Sequence, residues 1–91
     1  MTDLTRPKVS VITIVFNGEE FIEGAIRSIA RQTFTDFEHV IVDDGSDDGT
    51  AEVLTEWSER DRRIKVVHQE NSGIPRSYNR ALEMAQGEYI A

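Results

Sequence analysis

No cysteine occurs anywhere in the 91 residues. That excludes a disulfide framework and a thiolate metal site, and it suits a reducing compartment such as the cytoplasm. No apolar run approaches the ~18 residues that a membrane-crossing helix needs. The opening stretch, MTDLTRPKVS, lacks the apolar core of a secretion signal. Positive charge is scarce: 10 Lys and Arg face 17 Asp and Glu, for a net charge of -7. A general nucleic-acid binder needs a basic face to displace counterions, so that class is disfavoured. A single nucleotide is not excluded, because a local site can differ from the global field. Two phosphate-binding signatures are also missing. Neither G-x-x-x-x-G-K-[ST] nor G-x-G-x-x-G is present, and NGEEFIEG offers only Gly18 and Gly24. A diphosphate bound here must be neutralised by a metal or by arginines, not by a cradle of backbone amides.

What is present reads as one small soluble domain. Hydrophobic residues make up 38% and charged residues 30%, an ordinary globular balance. A chain of this size buries only about 60–65% of its unfolded surface, so stability is marginal. Residues 1–8 are polar and include Pro7, which predicts a loose lead-in. The rest, 9–91, alternates between two periods. Residues 9–16 (VSVITIVF) are nearly continuous in apolar and β-branched side chains, the pattern of a strand buried on both faces of a parallel sheet. Helical spacing follows over 19–32, with Glu19 and Glu20 placed in the first turn, where the helix dipole favours them. Further strands are predicted at 37–42, 64–68 and 88–91, and a helix at about 50–59 with Val53, Leu54 and Trp57 on its core face. The last helix starts near Pro75, carries a stripe of Ile74, Tyr78, Ala81, Leu82 and Ala85, and stops at Gly87. The order β-α-β-α-β-α-β predicts an α/β fold with an open, mostly parallel, Rossmann-like sheet. Ligands of such sheets bind beyond the carboxyl ends of the strands.

Four carboxylates crowd one of those ends, in VIVDDGSDDGT, residues 40–50. Turn chemistry accounts for Asp47, Asp48 and Gly49, and either Asp48 or Thr50 can cap the next helix. Asp43 and Asp44 continue a buried strand instead. A carboxylate there accepts hydrogen bonds only, which suits a ligand N–H or ribose hydroxyls. Asp43 equally suits backbone amides.

Three features occur together in order: S-[IL]-x-x-Q-T-F-x-D-F-E before the second strand, D-D-G-S-x-D-G-T after it, and N-x-G-(x)5-N ahead of A-x-G-E-Y-I. From Lys8 to Ala91 the chain resembles the nucleotide-binding half of family 2 glycosyltransferases, which have the GT-A nucleotide-diphospho-sugar transferase fold. The resemblance implies a nucleotide site around Ile14, Phe16, Asn17, Asp43, Asp44, Ser46 and Arg76. Phe16 would pack on the base, and Asp44 would accept the uracil N3–H. The family usually has Pro or Thr at Ile14 and often Tyr at Phe16. Its A-R-N-x-G motif reads Ser77-Tyr78-Asn79-Arg80-Ala81 here, so Tyr78 stands where an arginine is usual. Arg76 can supply that charge or be a solvated surface arginine.

Family members continue Y-I-x-F-L-D-x-D, whose aspartates hold Mn2+ or Mg2+ against the diphosphate. The sequence stops at Tyr89-Ile90-Ala91, so the expectation is a piece of a longer enzyme that itself holds no metal and no catalytic base. The leading reading is therefore a glycosyltransferase fragment. It would bind the nucleotide of a nucleotide-sugar, a UDP-sugar by resemblance, for inverting transfer to an acceptor hydroxyl. The acceptor is not specified by these residues, and any membrane association would belong to other parts. A non-catalytic α/β binding or assembly module is the alternative, and a dinucleotide domain ranks third for want of its glycines. A sheet edge left uncovered near 88–91 predicts self-association. His39 and His68 read as structural, Trp57 as core, and Arg60, Arg62 and Arg63 as a solvated loop.

Overall fold

The computed structural model describes residues 7–31 and 36–91. The expected lead-in and Gln32, Thr33 and Phe34 of the Q-T-F motif lie largely outside the described residues. Seven elements follow in the predicted order: β1 (Val9–Val15), α1 (Ile22–Ala30), β2 (Phe37–Asp44), α2 (Thr50–Arg60), β3 (Ile64–Gln69), α3 (Ile74–Met84) and β4 (Tyr89–Ile90). The four strands form one sheet in the order β3-β2-β1-β4, and every pairing is parallel. β2 is central, and all eight of its residues are buried.

Strand alternation sorts the core into two layers. Val15, Ile41 and Ile64 face α1 and α2, packing with Ile22, Ile26 and Leu54. Ile12, Ile14, Val40, Val42 and Val67 face α3 through Ala81 and Met84. The strand order explains this split. Moving from β1 to β2 to β3 steps in one direction, and β3 to β4 reverses it. Right-handed crossovers then place α3 on the opposite face. The reversal also creates a switch point between β1 and β4, where ligands of such sheets are received.

Four expectations need correction. The α3 stripe exists, but of its members Ile74, Tyr78 and Leu82 are exposed and Ala81 alone is fully buried. The helix docks through small Ser77 and Ala81, one turn apart, because small side chains allow a close approach to the sheet. Gly87 does not end α3, which stops at Met84 with Ala85 already extended. Gly87 is required instead because the chain crosses directly over β1: a Cβ there would lie 2.6 Å from the Ser10 nitrogen. Glu19 and Glu20 precede α1 rather than forming its first turn. Arg63 is not loosely solvated: its guanidinium lies 4.5 Å from the Phe37 ring centroid and pairs with Asp61 at 2.9 Å. Trp57 is only partly buried, packs against the α1–α2 core, and has Arg27 and Arg60 beside its ring.

A buried polar cluster fastens the edge of the sheet opposite the strand ends. Glu38 is 2% exposed, and accepts from the Ser10 hydroxyl, the Gln86 amide at 2.6 Å and Lys65 Nζ at 2.7 Å. Burial alone would favour the protonated acid. The Gln86 amide, Lys65 and Ser10 outweigh it and hold the carboxyl below its usual range. The Gly87 amide donates to Ser10 in turn, at 2.9 Å. This cluster fixes the α3–β4 connection and so the position of β4 beside β1.

Candidate functional site at the carboxyl edge

Three loops meet at the carboxyl ends of β1, β2 and β3. The first begins at Phe16, which is 52% exposed although it directly follows Val15, the buried last residue of β1. Folding gains little from an apolar ring in that position, whereas a flat face at a strand end suits stacking on a base. Asn17 follows with φ 51, the only described non-glycine residue in the left-handed region. Asparagine tolerates this because its short polar side chain bonds locally.

The bonds of Asn17 lock the first loop to the second. Its amide donates to Ser46 Oγ at 2.8 Å, and its Oδ1 accepts the Asp47 amide at 2.9 Å. Gly18 N donates to Thr50 Oγ1 at 3.0 Å, and Glu19 accepts the Gly49 amide at 2.8 Å. Asp48 accepts the Thr50 amide at 2.9 Å, capping α2 from just outside it. The Thr50 bonds hold the Asp48 carboxyl below its ordinary range. Asp48 is therefore the capping residue of the two that the sequence allows, and Glu19 serves the start of α2 rather than that of α1.

Asp43 and Asp44 project to opposite faces of the sheet. Asp43, 2% exposed, accepts the Ser46 amide at 3.1 Å through Oδ1 and His68 Nδ1 at 2.9 Å through Oδ2. The amide role anticipated for it is thus filled, and His68, set opposite it by the parallel register, is a second partner that motif reading missed. Asp44, 4% exposed, lies on the α3 face beneath the third loop. Its Oδ1 accepts Gln69 Nε2 at 3.1 Å and the Ser72 amide at 2.9 Å, and its Oδ2 accepts the Gly73 amide at 3.1 Å. The Gln69 bond first, then the Ser72 amide, keep this carboxyl below its ordinary range against the opposing effect of burial. Asp44 is ionised at neutral pH. Among the described residues the Gly73 amide donates to Oδ2 and the Ser77 hydroxyl also stabilises the carboxylate, which as an acceptor of up to four bonds has room for a further donor.

Gly45 makes the crossing of the second and third loops possible. Its φ is 80, and a Cβ there would sit 2.6 Å from the Asn71 nitrogen. Asn71 Nδ2 also donates to the Asp44 carbonyl at 3.0 Å. Gln69, Glu19 and Asn71 are site-building residues that motif reading missed. A signal for Gln69 existed: parallel pairing sets it directly opposite Asp44.

The electrostatics of this edge are specific. Carboxylates of the protein already occupy the amides that open α2 and α3: Glu19 and Asp48 take Gly49 and Thr50, and Asp44 takes Ser72 and Gly73. These four amides are therefore not free to cradle phosphate. Arg76, exposed in the first turn of α3, has no ion pair among the described residues. Ile14 is half-buried in the α3-side core, two residues before Phe16 on β1. Among the described residues no three His, Asp or Glu side chains are grouped to hold a metal ion, and no helix is long and apolar enough to cross a membrane.

An open parallel sheet with an ionised acid and an exposed ring at its carboxyl edge belongs to the α/β class whose members receive ligands at that edge. Comparison with known proteins makes that particular: the chain belongs to glycosyl transferase family 2, whose family model matches residues 10–91. The uncharacterized glycosyltransferase EpsJ of Bacillus subtilis is 42% identical over 92% of the chain, and the cholesterol galactosyltransferase of Borreliella burgdorferi is 39% identical over 91%. The match takes up 24% and 23% of those two proteins, so the chain spans about a quarter of their length. Among solved structures, the mannosyltransferase PcManGT of Pyrobaculum calidifontis, in complex with GDP-Man and Mn2+, superposes with TM-score 0.84 at 32% identity, over 93% of this chain and 26% of that one. TarS 1-349 of S. aureus with UDP-GlcNAc gives TM-score 0.81 at 39% identity, over 91% and 25%. The fold is the nucleotide-binding portion of a GT-A glycosyltransferase.

Proposed function

We propose that this chain binds the base and ribose of a nucleotide-sugar, a UDP-sugar in the first instance, within a larger inverting glycosyltransferase. The observation that carries this reading is Asp44: a buried, ionised carboxylate at a strand end, beside an exposed ring, with room for a further donor. Uracil presents an imide N–H that such an oxygen accepts, and Phe16 offers the stacking face. Asn17, Ser46 and Asp43 act by fixing the loops, through the bonds they make to one another and to the backbone. Ile14 backs the platform from within the core.

The diphosphate meets an acidic edge where the Gly49, Thr50, Ser72 and Gly73 amides are already taken, so a cation is the group suited to neutralise it. Arg76 is the group of this chain placed to help. A divalent ion, Mn2+ or Mg2+, is the other, and the solved mannosyltransferase contains Mn2+. The described carboxylates do not form a ligand set for such an ion, and no step is derived through it. In the whole enzyme, a base would take the proton of an acceptor hydroxyl as its oxygen attacks the anomeric carbon and the nucleoside diphosphate leaves. The cysteine-free composition suits a cytoplasmic site of action. Tyr89 and Ile90, exposed on the edge strand β4, are the surface for self-association of the chain, to be read by sedimentation at high concentration.

An amide NMR titration with UDP, with and without Mn2+, tests the reading. Shifts at 14–17 and 43–46 are expected, in the presence or absence of the ion. Dispersed spectra that ignore UDP would overturn it in favour of the non-catalytic module.

A further inference from the structure

Asp44 is held from two directions, and the two differ in rigidity. The Ser72 and Gly73 amides belong to the loop after β3. Gln69 belongs to the sheet itself, as the last residue of β3. Its Nε2 lies 3.1 Å from Asp44 Oδ1, 2.8 Å from Ser72 Oγ and 2.9 Å from Ser77 Oγ. Ser77 is fully buried in α3 against the sheet. The carboxylate accepts only, so the amide must turn its NH2 rather than its carbonyl toward Asp44. Gln69 thus joins the core side of α3, the third loop and the carboxylate in one network.

We propose that Gln69 is the positioning residue of base recognition: anchored on Ser77, it fixes the orientation of the Asp44 carboxylate, so that its remaining acceptor capacity faces the base. Without it, Asp44 keeps the Ser72 and Gly73 amides of the loop and the smaller contribution of Ser77, and the carboxylate can turn with that loop. The inference rests on the reading of Asp44 as the acceptor of the base N–H.

The choice of base separates positioning from simple support of the fold. Uracil N3 carries a proton that a fixed carboxylate accepts. Cytosine N3 is itself an acceptor, and a fixed carboxylate repels it. Loss of orientation should therefore shrink the preference for UDP over CDP, whereas a general loosening would weaken both alike.

The experiment is NMR titration of the chain with UDP and with CDP, for the wild type and for Asp44→Asn, Gln69→Met and Gln69→Glu. The wild type should prefer UDP, and Asp44→Asn should abolish the preference. Gln69→Met, similar in length but without hydrogen-bonding groups, should lower UDP affinity about tenfold and leave CDP within about twofold, the size expected for a hydrogen bond to a charged group. Gln69→Glu, setting one carboxylate against another, should be worse for UDP. If Gln69→Met does not fold, Gln69→Asn decides the matter: it keeps an amide at the end of β3 but, one methylene shorter, withdraws its NH2 from Asp44, and should reduce the UDP preference in the same direction. Equal weakening of UDP and CDP, or an unchanged ratio, in Gln69→Met or its substitute overturns the role of Gln69 while Asp44→Asn still loses the preference. An unchanged ratio in Asp44→Asn overturns the reading of Asp44, and this inference with it.

Discussion

Lowering the pH from 7 to 4.5 should destabilise this protein through one buried imidazole. His39 lies in the central strand, 1% exposed, with Nε2 2.7 Å from Thr13 Oγ1. Burial pushes it from 6.5 down to about 4, and Asp61 opposes that only in part. The ring is neutral in the fold, and the unfolded chain takes up the proton first. The associated stability is complete above about 6.5, declines as the pH falls below that, and is gone near 4. At about 1.4 kcal/mol per pH unit the loss totals roughly 3 kcal/mol. A chain of 91 residues is typically stable by only about 5–14 kcal/mol, so the effect is a large share of the whole. Urea unfolding at pH 7, 6, 5 and 4.5 would measure it, as a falling midpoint at constant m. The carboxylates held below their ordinary range, Glu38, Asp44, Asp48 and Asp61, begin to lose their contribution as the pH falls through 4.5 for the glutamate and 3.8 for the aspartates. Comparison with His39→Gln separates the buried histidine from the other groups in the window from 6.5 to 4.5. His39→Gln should flatten the pH profile there. A wild-type profile that is already flat, or a slope that survives in His39→Gln, would refute the reasoning.

Other perturbations test the architecture of the edge and its support. Gly87→Ala should cost about 1–3 kcal/mol in urea unfolding, because the new methyl meets β1 backbone and not a side chain that can move. Gly45→Ala combines left-handed strain with contact against the Asn71 nitrogen, and should both destabilise by at least about 1–3 kcal/mol and weaken UDP binding. Glu38→Gln removes the charge that Lys65 and the Gln86 amide share, and should cost about 1–3 kcal/mol while the UDP-to-CDP preference stays unchanged. Arg76→Ala should weaken UDP more than uridine in parallel titrations, since the guanidinium is assigned to phosphate. Equal effects on the two would return Arg76 to the solvated surface.

The two pairs of elements that sequence reading handled differently show where its information ends. Strand identity was legible at VSVITIVF and at 37–42 because runs of β-branched and other apolar side chains over so short a length suit an interior strand, a constraint local to the strand. The place of α3 was legible too, but the face it buries was not. Counting apolar residues selected Ile74, Tyr78 and Leu82, whereas the helix docks through Ser77 and Ala81, where small size matters more than hydrophobicity. Gly87 was misread for a related reason. Its requirement is a close approach to Ser10, which is distant in sequence.

The same division runs through the site. The sequence by itself determined the alternating α/β order and set Phe16, Asp43 and Asp44 at strand ends, since strand pattern and the D-D-G-S turn are contiguous signals. Only the tertiary structure decided how those groups are spent: Asp43 on Ser46 and His68, Asp44 on Gln69 and the third loop, Glu19 on the start of α2. These partners stand some 3–30 positions apart in the chain, and parallel register, not sequence spacing, brings most of them within hydrogen-bonding distance. Hydrogen bonds act over about 3 Å, and which groups come that close is fixed by how the strands align.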